Sequence, residues 1–296
     1  MSFDPGAQEI VICEDVDNEL HSGALRDRLQ DPSLGEGTIT LIIRDPNITI
    51  IGEMDDYDYD YDNDEEAPLY LCKSLLRVDL KGCPKLTQLG NGVFLGCSSL
   101  TSVALPDGLT QLGSYVFLGC SSLTSVALPD GLTQLGDNVF YECSSLTSVA
   151  LPDGLTQLGY EVFWGCSSLT SVALPDGLTQ LGNLVFEGCS SLTSVLLPDG
   201  LTQLGYGAFS ECTSLTSVVL PDSVTEIGKV AFLGCSSLMS VILPDSATLG
   251  DGVFSECDAL LQKTALAGFD KVELYLRDRY KSITLRKLVL RLLRKY

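Results

Sequence analysis

The chain has 296 residues, and its hydrophobic fraction of 45% is enough for a packed core, which argues against wholesale disorder. Its 39 acidic and 18 basic residues give a formal net charge of −21. Such a molecule repels phosphates and anionic headgroups, so neither nucleic acid nor an anionic membrane is an expected partner. Its eleven cysteines, an odd number, favour a reducing compartment over a complete set of disulfides.

Residues 1–45 are predicted to form an N-terminal cap. Apolar runs indicate strands at 9–13 and 38–43, with a helix at 18–29 between them. The start of the chain has neither the basic beginning nor the long apolar run of a secretory signal. No stretch reaches the roughly 18 apolar residues of a membrane helix. We therefore expect a soluble, intracellular protein without a transmembrane segment.

An acidic segment, EMDDYDYDYDNDEE, occupies residues 53–66 and holds nine acids in fourteen residues. It cannot bury its charges and is predicted to be a solvated loop. Binding of a basic partner, contact with the basic tail and weak Ca²⁺ association are further interpretations, although the glycine and final glutamate of an EF-hand loop are not in place. The candidate residues of this loop are Asp55, Asp56, Tyr57, Asp58, Tyr59, Asp60, Tyr61 and Asp62.

The main feature of the chain is an internal repeat of 23 residues. The string LPDGLTQLG begins at five positions, with degenerate copies at Leu220 and Leu243, and a cysteine recurs with it. Single units cannot fill an interior and become stable by stacking, so we predict a repeat solenoid over residues 46–260, with 53–66 as an insertion. The five identical strings begin at Leu105, Leu128, Leu151, Leu174 and Leu197.

One unit, residues 105–127, shows the expected local structure. Pro-Asp-Gly predicts a turn in which glycine accepts a positive φ. A short extended piece follows, and the segment from Val116 to Cys120 is predicted to be a helical or 3₁₀ turn. The main strand comes last, with Val126 pointing inward and Ser125 and Ala127 outward.

The unit LxxVxLPxxLxxLGxxVFxxCxxL resembles the BspA-like class of leucine-rich repeats over about residues 69–257. The resemblance implies a right-handed solenoid with a parallel β-sheet on its concave face, short helical or 3₁₀ turns and a second short strand in each repeat. It also implies roles in protein interaction or adhesion.

Two columns of side chains recur along the predicted solenoid. The cysteines are expected to form a buried ladder, because free cysteine is among the most buried residue types and no CxxC pair indicates a metal or redox site. The aspartates are expected to be turn residues that bond the local backbone, with weak Ca²⁺ binding as the alternative. They are Asp107, Asp130, Asp153, Asp176, Asp199, Asp222 and Asp245.

The outward positions of the main strand lack the Trp, Tyr and Arg that are typical of interface hot spots. They become apolar at Leu196, Val219 and Ile242, which indicates either a docking patch or cover by the tail. Aromatic and acidic residues vary instead in the pairs before Val-Phe and before Cys. We interpret these positions as a candidate surface for a basic or amphipathic protein, with relaxed packing as the alternative. They are Tyr115, Tyr141, Glu142, Tyr160, Glu161, Trp164, Glu187, Tyr206 and Glu211.

Residues 261–296 are predicted to be a basic, helical C-terminal cap. From residue 271 onward there are nine basic and two acidic residues, and leucines follow helical spacing. An open solenoid end needs a cover, so a capping helix is the first expectation. Docking to a membrane or to a partner is the alternative. The candidate docking residues are Arg286, Lys287, Arg291, Arg294 and Lys295.

The sequence does not predict catalysis. The only histidine, His21, has no nucleophile around it, and no nucleotide-binding, zinc-protease or serine-hydrolase motif occurs. We therefore expect a non-enzymatic protein-binding module or scaffold without a cofactor. A cell-surface or secreted adhesin and a self-assembling structural repeat protein are the alternatives.

Overall fold

The computed structural model describes four N-terminal strands, residues 75–278 without a break, and residue 281. The strands are β1 (Gln8–Ile12), β2 (Glu19–Leu20), β3 (Ile39–Ile43) and β4 (Ile50–Ile51). Because residues 19 and 20 are a strand, the helix predicted from residue 18 was wrong at its start, and its remaining residues lie outside the described part. The acidic segment 53–66, His21 and the candidate docking residues of the tail also lie outside it.

The main sheet is a parallel stack of the longer strand of each repeat. It is hydrogen-bonded in the groups of residues 8–104, 125–173 and 217–242, and isolated bridges join Ala173 to Leu196 and Ser194 to Ser217. β1 and β3 belong to this stack, so the segment predicted as a cap contributes strands to it. The remaining strands are β5 (Leu75–Asp79), β7 (Ser102–Ala104), β9 (Ser125–Ala127), β11 (Ser148–Ala150), β13 (Ser171–Ala173), β16 (Ser217–Val219) and β18 (Ser240–Ile242).

A second parallel stack is built from two-residue strands, one in each repeat, and is hydrogen-bonded in the groups of residues 19–135 and 157–249. Gln111 lies beside Gln134 and Leu112 beside Leu135, so the outward column is glutamine and the inward column is leucine. This confirms the second short strand. After β2 and β4, its strands are β6 (Gln88–Leu89), β8 (Gln111–Leu112), β10 (Gln134–Leu135), β12 (Gln157–Leu158), β14 (Gln180–Leu181), β15 (Gln203–Leu204), β17 (Glu226–Ile227) and β19 (Thr248–Leu249).

The core consists of columns of identical side chains. Phenylalanine rings stack from Phe94 to Phe254 with centroids 5.3–5.7 Å apart. The cysteine ladder from Cys97 to Cys257 is buried beside them, as predicted, and none of the nine described cysteines forms a disulfide. Each repeat therefore extends the same interior.

The Pro-Asp-Gly turns differ from their prediction in one respect. Leu109 N–H donates to Pro106 O at 3.2 Å, which closes the expected turn. Gly108 does not adopt a positive φ, so the glycine is not needed for that reason. At Gly108 a Cβ would come within 3.0 Å of Pro84 O in the preceding repeat, so close stacking accounts for this glycine. At the equivalent Gly131 and Gly177 the nearest atoms lie at 3.6 and 3.7 Å, so close stacking does not account for the glycine there.

The solenoid ends in two helices, α1 (Asp258–Leu266) and α2, which is described at residues 272–278 and at 281. Helical structure was predicted from residue 261 onward, which covers α2 and most of α1, whereas the start of α1 at Asp258 was not predicted. Tyr275 and Leu276 of α2 are buried against the last repeats. Arg277 donates to Asp245 O at 2.6 Å and to Ala247 O at 2.9 Å, so α2 supplies hydrogen bonds to the last turn.

Candidate protein-binding flank

We call the nine residues of the predicted aromatic and acidic surface the variable flank. They lie in the turn that joins the second, two-residue strand of a repeat to the cysteine of the same repeat. In one such turn Trp164 N–H donates to Glu161 O and Cys166 N–H to Phe163 O, at 3.1 and 3.2 Å. These are turns of the 3₁₀ type, as predicted, and they are not continuous helix.

The turn holds its shape because it bonds to the next repeat at every second residue. Glu161 N–H donates to Asn183 O, and Gly165 N–H donates to Glu187 O at 2.8 Å. Between them Phe163 is buried in the ring column. Side chains of the flank therefore project from a backbone that the core fixes.

Each turn also has two positions with positive φ, and several flank residues occupy them. Tyr115, Glu142, Glu161 and Glu211 have φ between 53° and 63°. Other repeats place glycine there, for example Gly165 with φ 68°. Residues with a Cβ are strained in this region by about 1–2 kcal/mol, so these side chains are present against the local backbone preference.

Two aromatic residues of the flank form a stack. The rings of Tyr141 and Trp164 are 4.4 Å apart between centroids and 7° from parallel. Both side chains are half-buried. The pair is thus a rigid apolar platform with one side open to solvent, a type of surface that proteins use for contact.

Carboxylates lie next to this platform. Burial raises the pKa of the Glu187 carboxyl, the neighbouring Trp164 side chain lowers this pKa, and the nearby Glu161 and Glu211 raise it again. Glu161 also accepts a hydrogen bond of 2.8 Å from Asn138. The arrangement concentrates negative charge beside an aromatic surface.

The remaining flank residues extend this surface in both directions. Tyr160 and Tyr206 are 43% and 50% exposed and stand two repeats apart, so they do not contact each other. Glu142 and Glu211 are exposed, whereas Tyr115 is half-buried. The structure brings Tyr141, Trp164, Glu161, Glu187 and Glu211 together and leaves the others around them.

The charge of the surrounding repeats has one sign. Residues 86–228 contain twelve acidic residues and no Lys, Arg or His. No side chain of this stretch can therefore form an ion pair with the flank carboxylates from within it.

The aspartate column is placed as predicted, at exposed turns, with one residue in each repeat. Among the described residues, no group of three or more His, Cys, Asp or Glu side chains is arranged to hold a metal ion. Within the same residues, no helix is long and apolar enough to cross a membrane.

Stacked parallel strands, repeated turns and continuous core columns define a leucine-rich-repeat solenoid. The chain belongs to the family of the BspA type leucine rich repeat region, which it matches in six copies over residues 69–192 and 156–276. No curated protein matches the chain.

Three bacterial proteins of solved structure are similar to this chain. The leucine rich repeat protein TpLRR of T. pallidum is 30% identical, with a TM-score of 0.50, over 66% of this chain and 84% of that one. A leucine rich cell surface protein of Faecalibacterium prausnitzii A2-165 is 21% identical, with a TM-score of 0.40, over 75% and 77% of the two chains. A leucine-rich repeat protein of Bacteroides ovatus is 22% identical, with a TM-score of 0.34, over 76% and 86%.

Proposed function

We propose that this chain is a non-catalytic protein-binding module and that the variable flank is its binding surface. The observation that carries the proposal is the Tyr141–Trp164 stack with the Glu187 carboxylate beside it. Trp and Tyr are enriched among residues that dominate binding energy, especially in rigid surroundings. Membership of a leucine-rich-repeat family agrees with such a role.

The partner fits best as a basic protein segment. Arg or Lys side chains gain attraction from an aromatic face and from adjacent carboxylates. The stretch 86–228 offers no competing positive charge. Nucleic acid is disfavoured for the opposite reason, because phosphates would meet the same carboxylates.

Binding is a better account of the flank than catalysis. A nucleophile needs an activating base and access to substrate. Burial raises the pKa of the thiols of Cys143 and Cys166, so these cysteines remain protonated. The carboxylates of the flank are partly solvated and lie in surface turns.

Trp164 provides a direct test, because it is the only tryptophan in the chain. We would titrate the full chain with an Arg/Lys-rich peptide and follow tryptophan fluorescence. A triple variant, E161Q/E187Q/E211Q, should bind at least about tenfold more weakly, since three charges beside Trp164 are lost.

The matched control is D107N/D130N/D153N, which removes the same charge from exposed turns of the aspartate column, outside the variable flank. If both triple variants lose the same affinity, the peptide responds only to net charge and the flank is not a specific site. Unchanged binding in E161Q/E187Q/E211Q would also contradict the proposal.

A further inference from the structure

A second surface departs from the repeat pattern on the main sheet. At one outward position four successive repeats have alanine: Ala104, Ala127, Ala150 and Ala173. The next three repeats have Leu196, Val219 and Ile242 at the same position. Leu196 is 83% exposed and Val219 57% exposed. Because alanine satisfies the fold in four copies, the larger residues are not required by it.

These residues form one continuous strip. Val219 is the register partner of Ile242, and Leu196 bridges to Ala173 in the same column. We call Leu196, Val219 and Ile242 the main-sheet patch. A clustered apolar surface of this kind marks an interaction site more often than scattered single residues do.

The spacing of the strip matches an α-helix lying along the solenoid. Adjacent strands are about 4.8 Å apart, and a helix rises about 5.4 Å in each turn. Over three repeats the two spacings differ by little more than one ångström in total. One apolar residue per helical turn, at i, i+3 or i+4, and i+7, can therefore contact Leu196, Val219 and Ile242 in succession.

Carboxylates border the strip on one side. Asp199, Asp222 and Asp245 are exposed and each follows its apolar residue by three positions. The same two columns line one shallow depression of about 360 Å³ in the earlier repeats, where Ala104 and Ala127 occur with Asp107 and Asp130. The apolar strip and the aspartate column are therefore neighbours on the surface.

We propose that the main-sheet patch binds a basic amphipathic helix of a partner protein. Its apolar side chains contact Leu196, Val219 and Ile242, and its Lys or Arg residues face Asp199, Asp222 and Asp245. The surface is separate from the variable flank, so this proposal and the proposed function can fail independently.

The test uses the full chain and a labelled 15-residue peptide. This peptide has leucine at i, i+4, i+7 and i+11, lysines along one adjacent side and alanine elsewhere. Its control has the same composition in an order that breaks the helical spacing. We expect the wild type to bind the first peptide at least about tenfold more tightly than the control peptide.

Two variants of the protein complete the design. L196A/V219A restores the alanine found in four other repeats, so folding is retained, and its affinity should fall at least about tenfold. D199N/D222N should weaken binding mainly at low salt. E161Q/E187Q/E211Q changes only the flank and should bind the helical peptide as the wild type does.

Equal binding to wild type and L196A/V219A would overturn the proposal. The helical peptide could also bind only to L285D/L292D, a variant that alters this chain's own C-terminal segment. That result would assign the patch to the C-terminal segment and would also overturn the assignment to a partner. If the wild type forms a dimer and L196A/V219A does not, the patch binds a second copy of this chain, and the assignment to a partner protein is likewise overturned.

Discussion

The thiol of Cys166 donates a hydrogen bond to the main-chain oxygen of Phe140, which lies in the preceding repeat, with an Sγ–O distance of 3.1 Å. The same oxygen accepts the N–H of Cys143 at 3.1 Å. Equivalent thiol bonds occur in every repeat from Cys120 to Cys257. The cysteine column thus joins successive repeats through hydrogen bonds as well as through packing.

We predict that Cys166→Ala lowers the free energy of unfolding by about 1–2 kcal/mol, because it removes a buried sulfur and a hydrogen bond. Urea unfolding followed by circular dichroism measures the change. Ser167→Ala is the control, since the longer, half-buried bond of 3.4 Å from Ser167 to Ser144 O should contribute less. Equal losses in both variants would show that the thiol bond has no special weight.

The thiols also predict how stability depends on pH. Burial raises the pKa of Cys120, Cys166 and Cys212 in the folded chain, whereas a thiol in the unfolded chain titrates near about 8.5. The contribution of these thiols to the free energy of unfolding is therefore complete below about pH 8.5. It is lost as the pH rises above that value, by up to about 1.4 kcal/mol per pH unit for each thiol.

Urea unfolding between pH 7 and 10 tests this dependence. The free energy of unfolding of Cys166→Ala should fall less steeply above pH 8.5 than that of the wild type, since one titrating group is missing. Rapid alkylation of the native, folded chain at pH 8 would contradict the burial on which the prediction depends.

The repeat period determined most of what could be predicted about the fold. Strands, turn and inward columns follow from side chains that recur every 23 residues, and the structure agrees at Val126, Phe117 and Cys120. The helix predicted from residue 18 was wrong at its start because Glu19 and Leu20 pair with Ile50 and Ile51, a contact distant in sequence.

Backbone conformation was the part that the side chains did not reveal. Leu184 and Val230 have φ of 58° and 52°, yet neither residue type favours that region. Only a comparison of equivalent positions in the repeats indicates the positive φ, because other repeats have glycine there, namely Gly92 and Gly207 with φ of 61° and 57°. Tertiary hydrogen bonds to the next repeat impose the conformation on whichever residue stands there.

The hydroxyl of Ser223 shows how one turn can be improved. It lies 2.7 Å from Asp199 O and 2.6 Å from Leu201 O, both in the preceding repeat, so its single O–H can donate to either oxygen. Gly177 is at the equivalent position, and a Cβ there would make ordinary contacts of 3.7 and 3.8 Å with the corresponding oxygens. We predict that Gly177→Ser raises the free energy of unfolding by about 0.5–1.5 kcal/mol.

Gly177→Ala separates the two causes of this gain. Alanine restricts the unfolded chain but has no hydroxyl, so it should give only part of the stabilisation. Thermal and urea unfolding of the three proteins measure the difference. A serine variant no more stable than the alanine variant would rule out the hydrogen bond as a contributor.

Arg277 is predicted to stabilise the C-terminal end. Its guanidinium bonds to Asp245 O and Ala247 O, the two oxygens that a serine of a following repeat would otherwise reach, and to Glu273 at 3.0 Å. Arg277→Ala should lower the free energy of unfolding by about 1–3 kcal/mol, and faster exchange of amides in the last repeat should accompany it. Lys271→Ala, at an exposed position of the same region, should change neither quantity.

The last prediction concerns strain in the turns of the flank. Glu142 and Val230 both have positive φ, at 56° and 52°, in positions where other repeats have glycine. Glycine at either site should raise the free energy of unfolding by about 1 kcal/mol, because it removes the clash of Cβ with the backbone.

The effects of the two glycine variants on binding should differ. Glu142→Gly should weaken binding of an Arg/Lys-rich peptide, whereas Val230→Gly, which removes no charge, should leave it unchanged. If both variants gain stability and both keep full affinity, Glu142 is strained but its carboxylate does not contribute to peptide binding. If only Glu142→Gly loses affinity, stability has been given up at that turn in favour of binding.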